Sequence, residues 1–480
     1  MRGSVLPAAA VIAGLFAAVF SGSGRGASSP LLFSGPLQTA IVEPLGVGRP
    51  EVSAVVTQRA RESGATVFRL GLVWRTVVGQ TRPADFDAAN PDDPAYSWEA
   101  FDRELQAAVN AGLTPLVYIA GAPDWAERGT VGAVGARAPD PAELALFTRA
   151  AASRYDGTRA GVPRVRFWQL WNEPNDFLYF NPQFEGTRPV SPQIYRELLR
   201  VFADAVHGVH GDNLVVTGGM TPFGRPDRAV APLVFMRELL CMSGGTRPRP
   251  TCADHASFDV WAHNPYTEGG PRHHARDADN VSLGDLPTMR TLLQAAISAG
   301  HVDSNQPVRF WVTEFSWDSK PPDSLGVPAA LEGQWVAEAM YRMWQSGVSL
   351  VTWFTIADRD SGPLQSGLYY WGAGASRVGN PKPAQRAFRF PFVALPATKS
   401  VAFWGRTPTS GATTVFVERK VGSQWVVQTT VTANRFGIFR GRVRGRRTTG
   451  FFRARVGAAD VSLPFPLRPT PDLNVPVFGG

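Results

Sequence analysis

Two short segments carry carboxylates in settings that could do chemistry. Glu173 stands in Trp171-Asn172-Glu173-Pro174-Asn175, just past the apolar run Arg166-Phe167-Trp168-Gln169-Leu170. Glu314 stands in Thr313-Glu314-Phe315-Ser316-Trp317, just past Arg309-Phe310-Trp311-Val312. Two carboxyl groups facing each other across a polar, aromatic-lined cleft suit glycosidic bond cleavage. One must donate a proton, so its pKa must be raised, and the other must stay ionised to act as nucleophile. The two glutamates lie 141 residues apart, so only the fold can bring them together.

The elements that would do so are legible in the hydropathy pattern. Eight short, β-rich apolar runs recur: Thr39–Pro44, Thr66–Leu72, Thr114–Ala120, Val165–Leu170, Asn213–Gly218, Phe258–Trp261, Val308–Thr313 and Leu350–Phe354. Between them, Trp98–Ala111, Ala142–Tyr155, Pro192–Val206 and Gln334–Ser346 space their apolar residues three and four apart, as amphipathic helices do. Near-continuous apolar strands alternating with helices indicate a parallel sheet covered by helices. Eight units in this length suit an α/β fold of the (β/α)8 TIM-barrel type, with its chemistry at the C-terminal ends of the strands. The glutamates then sit on strands four and seven, on opposite sides of the barrel mouth. No G-x-G-x-x-G follows the first strand, against a dinucleotide fold. Past Leu395-Pro396 the period falls to two, in Thr413–Glu418, Gln424–Thr430, Gly437–Arg442 and Gly450–Val456, which predicts a small antiparallel β-sandwich. The expected division is 1–27 signal peptide, 28–395 barrel and 396–480 β-sandwich.

Trp171-Asn172-Glu173-Pro174 with Thr313-Glu314-Phe315 resembles the superfamily of retaining (β/α)8 glycoside hydrolases with catalytic glutamates on strands four and seven. The cellulase-like and β-xylosidase-like families are the most similar within it. The resemblance covers about Thr39 to Phe392. It implies Glu173 as general acid/base, Glu314 as the nucleophile that forms a glycosyl-enzyme intermediate, and Asn172 as a donor to the sugar 2-hydroxyl. It further implies that Arg69 hydrogen-bonds the nucleophile and keeps it ionised. His263 and Tyr266, in Ala262-His263-Asn264-Pro265-Tyr266, resemble the family's His-Pro-Tyr turn, in which tyrosine contacts the nucleophile and histidine the sugar; the inserted Asn264 departs from that spacing. Trp353, near the end of strand eight, would be the stacking platform beneath the cleaved sugar.

Composition narrows the alternatives. The chain carries 48 basic and 40 acidic residues, a net of +8, yet from Pro396 onward 13 basic residues face three acidic ones. The charge therefore belongs to the tail, and the larger part is nearly neutral. Only Lys320, Lys382, Lys399 and Lys420 are lysines, which disfavours Schiff-base chemistry. The histidines show no metal-ligand spacing, so no metal and no cofactor is expected. Arg2, the apolar stretch Leu6–Phe20 and the small residues after it read as an export signal, hence an extracellular location. In that compartment Cys241 and Cys252, eleven apart, are expected to form a structural disulfide. The expected partner is an oligo- or polysaccharide met by a monomer, not nucleic acid. The arginine-rich tail reads first as a solvated face; glycan or cell-wall contact through Trp404 or Trp425 is the functional alternative. A non-hydrolysing carbohydrate-binding barrel and a transglycosylase compete with hydrolysis.

Overall fold

The computed structural model describes residues 35–43, 50–374, 377–445 and 447–477; the expected export segment lies outside them. Eight parallel strands close into a barrel: β1 (Gln38–Val42), β2 (Val67–Val73), β3 (Thr114–Ala120), β4 (Phe167–Leu170), β5 (Leu214–Val216), β6 (Val260–His263), β7 (Arg309–Val312) and β8 (Val348–Phe354). Each falls on one of the eight apolar runs. β8 closes the ring by pairing with β1 from Gln38↔Leu350 to Val42↔Phe354. The outer layer includes α1 (Pro50–Glu62), α2 (Glu99–Asn110), α3 (Pro141–Arg154), α4 (Ser191–Val209), α5 (Pro232–Leu240), α6 (Leu286–Ser298), α7 (Ala329–Gln345) and α8 (Pro383–Arg389). Local chemistry sets their starts: Asp140 caps α3 by accepting from the backbone N–H of Ala142 at 2.8 Å, with Pro141 at the first helical position.

Strand parity decides which side chains reach the barrel interior, because successive residues point to opposite faces. Ala40, Val67, Leu116, Phe167, Ala262, Trp311 and Leu350 belong to one apolar cluster that fills the barrel. Two residues further along the strands, with the same parity, stand Arg69, Tyr118, Gln169, Asn264 and Thr313. A dry apolar layer thus supports a polar one at the C-terminal mouth. Gly71 makes room within this layer, since a Cβ there would lie 2.5 Å from the Tyr118 hydroxyl.

The C-terminal region is two antiparallel sheets. One orders β9 (Phe392–Ala397), β10 (Ser400–Arg406) and β13 (Ile438–Arg444). The other is built on β11 (Thr414–Val421), β12 (Gln424–Thr432) and β14 (Phe451–Val456), with two short terminal strands. The first sheet begins at Phe392, before the change of period at Pro396. Phe392 and Val393 are buried, so alternation is hidden where the sheet meets the barrel. This contact is extensive. Trp404 is buried against Tyr341 and Trp344 of α7 with ring centroids 5.4 Å apart in both pairs, which removes it as a surface platform for sugar. The Arg406 guanidinium is buried and donates to Thr39 Oγ1 at 3.2 Å and to the Phe388 carbonyl at 3.2 Å. Trp335 Nε1 donates to the Pro471 carbonyl, and Gly270 N–H to Asp472. Arg440, Arg442 and Arg444 alternate outward on β13 as a solvated face. Cys241, at the left-handed end of α5, forms a disulfide with Cys252 across a small hairpin.

Candidate active site

A cavity of about 910 Å³ opens at the C-terminal ends of the barrel strands, bordered by Arg69, Tyr118, Asn172, Glu173, Tyr266 and Glu314. Arg69, inward on β2, organises it. Its guanidinium spreads three bonds: Nη1 donates to Glu314 Oε1 at 2.6 Å, Nη2 to Asn172 Oδ1 at 2.9 Å, and Nε to Gln169 Oε1 at 2.7 Å. The plane rests on the Tyr118 ring, 4.3 Å from its centroid. Gln169 is fixed in turn, because its amide donates to the Thr217 carbonyl. Arginine suits this place, since a planar fork holds three directions at once where a lysine would offer a point charge.

Glu314 is held at both oxygens, the second accepting from the Tyr266 hydroxyl at 3.1 Å. Burial, then the charges of Glu314 and Glu173, push the Tyr266 phenol well up, so its hydroxyl stays a donor. Glu173 lies across the cavity in a turn that needs left-handed backbone at Trp171 (φ 65°) and Glu173 (φ 41°). Glu173 N–H donates to the Gly219 carbonyl, and Asn175 pins the same turn through its amide to the Thr221 and Val230 carbonyls. Among the described residues the Glu173 carboxyl accepts one bond, from Asn264 Nδ2 at 3.0 Å, and Asn264 is oriented by Thr313 Oγ1 at 2.9 Å. Burial, and next the nearby Glu314 charge, raise the Glu173 pKa well above the ordinary carboxyl range, while the Asn264 bond opposes this. One carboxyl is thus disposed to hold a proton and the other is paired with a guanidinium.

Glu173, Glu314, Arg69, Asn172 and Tyr266 come together as expected. Two other sequence expectations need correction, for one physical reason. His263 has the opposite parity to Ala262, so it points away from the interior. It is fully buried, Nε2 donates to the Val281 carbonyl at 2.9 Å, and burial lowers its pKa to about 4. It does not border the cavity; Asn264, the apparent insertion, is the residue of this turn that holds Glu173. Trp353 likewise alternates outward from Leu350. It is fully buried, edge-on to Phe315 and Phe388 in the layer under the helices, with Nε1 donating to the Ser366 carbonyl at 2.8 Å. Phe354, of inward parity, borders the cavity in its place. Sequence reasoning also missed Gln169 and Tyr118, whose signal was the shared parity with Arg69 on paired strands.

Among the described residues, one cluster has metal-ligand geometry, Cys241, Cys252 and Asp254. Its two sulfurs are joined in the disulfide and supply no thiolate.

No protein-family model matches the sequence, and no curated protein does. Solved structures do match in fold. The chain is similar to a family 39 glycoside hydrolase from the gut symbiont Bacteroides cellulosilyticus WH2, with TM-score 0.50 and 16% identity over 85% of this chain and 81% of that one. It is also similar to a glucosidase from Croceicoccus marinus, with TM-score 0.46 and 15% identity over 82% and 79%. A family 30 endoxylanase from Clostridium papyrosolvens gives TM-score 0.44 and 10% identity over 86% and 96%. At such identities the likeness is one of fold.

Proposed function

We propose that the protein is a retaining glycoside hydrolase acting on a β-linked glycan. The observation that carries this reading is the unequal treatment of two facing carboxyls: Glu314 is paired with Arg69 and Tyr266, whereas Glu173 is half-buried with, among the described residues, a single amide donor, and its pKa is raised. Glu314 attacks the anomeric carbon as the bond from that carbon to the bridging oxygen breaks, and the Glu173 proton passes to the departing oxygen. Water, losing its proton to the Glu173 carboxylate, then attacks the same carbon and releases Glu314. Asn172 spends its carbonyl on Arg69, which leaves its amide N–H groups to donate to a sugar hydroxyl. The Phe354 ring offers an apolar face at the cavity wall. We further propose, from the export-like N-terminal segment of the sequence, that the enzyme acts outside the cell, as a monomer, with Trp425 as a candidate glycan contact outside the cavity.

A panel of aryl β-glycosides and β-linked polysaccharides tests it on the full chain. Turnover with retained anomeric configuration is expected, lost in Glu173→Gln with natural leaving groups. Folded wild-type protein that binds sugars yet turns none over would favour the non-hydrolysing reading. An inverted product would overturn the assignment of Glu314.

A further inference from the structure

A second arginine borders the same cavity, and among the described residues its guanidinium is unpaired. Arg75 lies just past β2 and is partly buried. Its backbone N–H donates to the Gly121 carbonyl at 2.9 Å, which fixes where the side chain starts. Among the described residues its guanidinium has no hydrogen bond and no ion pair. Arg69, Arg82, Arg128 and Arg137 in the same part of the chain each pair with a carboxylate. Two glycines leave the guanidinium its place. A Cβ on Gly121 would lie 2.7 Å from Arg75 Nη1, and one on Gly135 would lie 1.6 Å from it. Both glycines have left-handed backbone, at φ 65° and 92°. Gly135 is anchored by Glu127, whose Oε1 accepts from its N–H at 2.7 Å. Val73 and Val77 border the cavity on the same stretch of chain as Arg75. A guanidinium that borders a cavity without a counter-ion keeps its fork of donors available to an anionic ligand.

We propose that Arg75 is an anion subsite, and that the glycan this cavity takes carries an acidic group, a carboxylate or a sulfate, on a sugar away from the scissile bond. The proposal rests on the glycoside hydrolase reading and adds the substrate class to it. Arg69 stands within β2, whereas Arg75 follows its C-terminal end with Nη1 beside Gly121, just past β3, so the acidic group sits outward of Glu314 along the strands. Glu43, Glu104, Glu173 and Glu314 border the same cavity, and among the described residues Arg75 makes an ion pair with none of them. A guanidinium fork suits either anion, since both present two oxygens in one plane. Arg75 touches no reacting atom and is a specificity residue, not a catalytic one.

The test uses the full chain and an array of β-linked oligosaccharides in matched sets: uronate-bearing, the same sugars with the carboxyl reduced to an alcohol, and the same backbones bearing sulfate esters. Hydrolysis is followed for wild type, Arg75→Gln and Arg75→Lys. The expected result is an acidic-over-neutral preference in kcat/KM of about tenfold or more, carried by KM and weakened by salt. Arg75→Gln should collapse it and Arg75→Lys keep part of it. The uronate and sulfate sets show which anion is meant. Hydrolysis with no acidic preference, or an Arg75→Gln protein that keeps the wild-type preference, would overturn the proposal and leave the glycosidase reading standing. Absence of hydrolysis on every set would count against the glycosidase reading itself; binding of the same sets to the full chain, read by calorimetry, then decides the Arg75 subsite by the same preference.

Discussion

The cavity carboxylates and a second acidic cluster, buried between β7, β8 and the start of α8, share a cause and differ in use. Asp318, Glu332 and Asp358 surround Lys382, whose ammonium donates to Asp358 Oδ1 at 2.6 Å, Ser319 Oγ at 2.7 Å and the Gln365 carbonyl at 3.0 Å. Burial raises the pKa of Glu332 to about 8 and those of Asp318 and Asp358 to about 6. Burial also leads the causes at Glu173. A raised pKa therefore marks desolvation in both places and chemistry in only one. What separates them is access and partnership. In the cavity an arginine and a tyrosine hold Glu314 at both oxygens and an amide holds Glu173, with open space between. In the second cluster, both oxygens of Glu332 lack a hydrogen-bond partner among the described residues, and neither Glu332 nor Asp318 borders the cavity. One of the few lysines sits there because a compact ammonium fits a site that an arginine fork would overfill.

The largest difference should appear when each cation is removed. Arg69→Met is expected to cost several orders of magnitude in kcat/KM, because Glu314, Asn172 and Gln169 all lose their common donor. Lys382→Met should instead lower stability by about 3–5 kcal/mol, the penalty of leaving a buried carboxylate unpaired, with kcat per folded molecule retained. Urea titration and active-site-normalised rates separate the two. Equal loss of rate in both variants would merge the regions that this comparison separates.

A smaller contrast sets Phe354 against Trp353. Phe354→Ala should weaken kcat/KM by about tenfold while stability changes little, since an aromatic face against sugar contributes on the order of 1 kcal/mol or more. Trp353→Ala should destabilise by about 3–5 kcal/mol, as a large buried side chain does, and leave KM near its wild-type value. The reverse pattern would restore Trp353 as the platform.

Protonation gives a subtler pair of effects. Glu173 as general acid must hold its proton, so kcat/KM should fall as pH rises through its elevated pKa. Asn264→Ala removes the bond that favours the ionised form, so the alkaline limb should move to higher pH in a pH–rate profile. For Glu332 the folded pKa lies above the unfolded value, so the folded state binds the proton more tightly. Stability is then lost as pH climbs from the unfolded pKa towards about 8. Glu332→Gln should raise Tm by a few degrees at pH 8 and converge with wild type near pH 4. An increment that grows on acidification would contradict the sign.

The sequence carried the barrel because parallel strands buried on both faces write themselves as apolar runs, and all eight runs became strands. It carried Glu173, Glu314, Arg69, Asn172 and Tyr266 because each sits at a strand end or beside one. It misassigned His263 and Trp353 because a strand end is legible to within a residue or two, while a shift of one residue reverses the face. The alternation that fixes the face is erased when both faces are apolar, as in Val260–His263 and Val348–Phe354. Anchoring parity on Arg69 and on Gln169, a lone polar residue inside an apolar strand, would have recovered it. The first two strands of the C-terminal sheets were missed for the same reason, since Phe392–Ala397 and Ser400–Arg406 pack against the barrel helices.

The central claim is the division of labour between Glu173 and Glu314, and azide rescue tests it most directly. Each glutamate is replaced by alanine, and an activated aryl β-glycoside is turned over in the presence of azide, with the anomer of the glycosyl azide read by NMR. Glu314→Ala should be inactive alone and, with azide in the vacated space, give the α-azide. Glu173→Ala should form the glycosyl-enzyme intermediate on Glu314 and give the β-azide. The opposite assignment of anomers, or rescue of neither variant in a wild type that hydrolyses the same glycoside, would contradict the roles given to the two carboxyls.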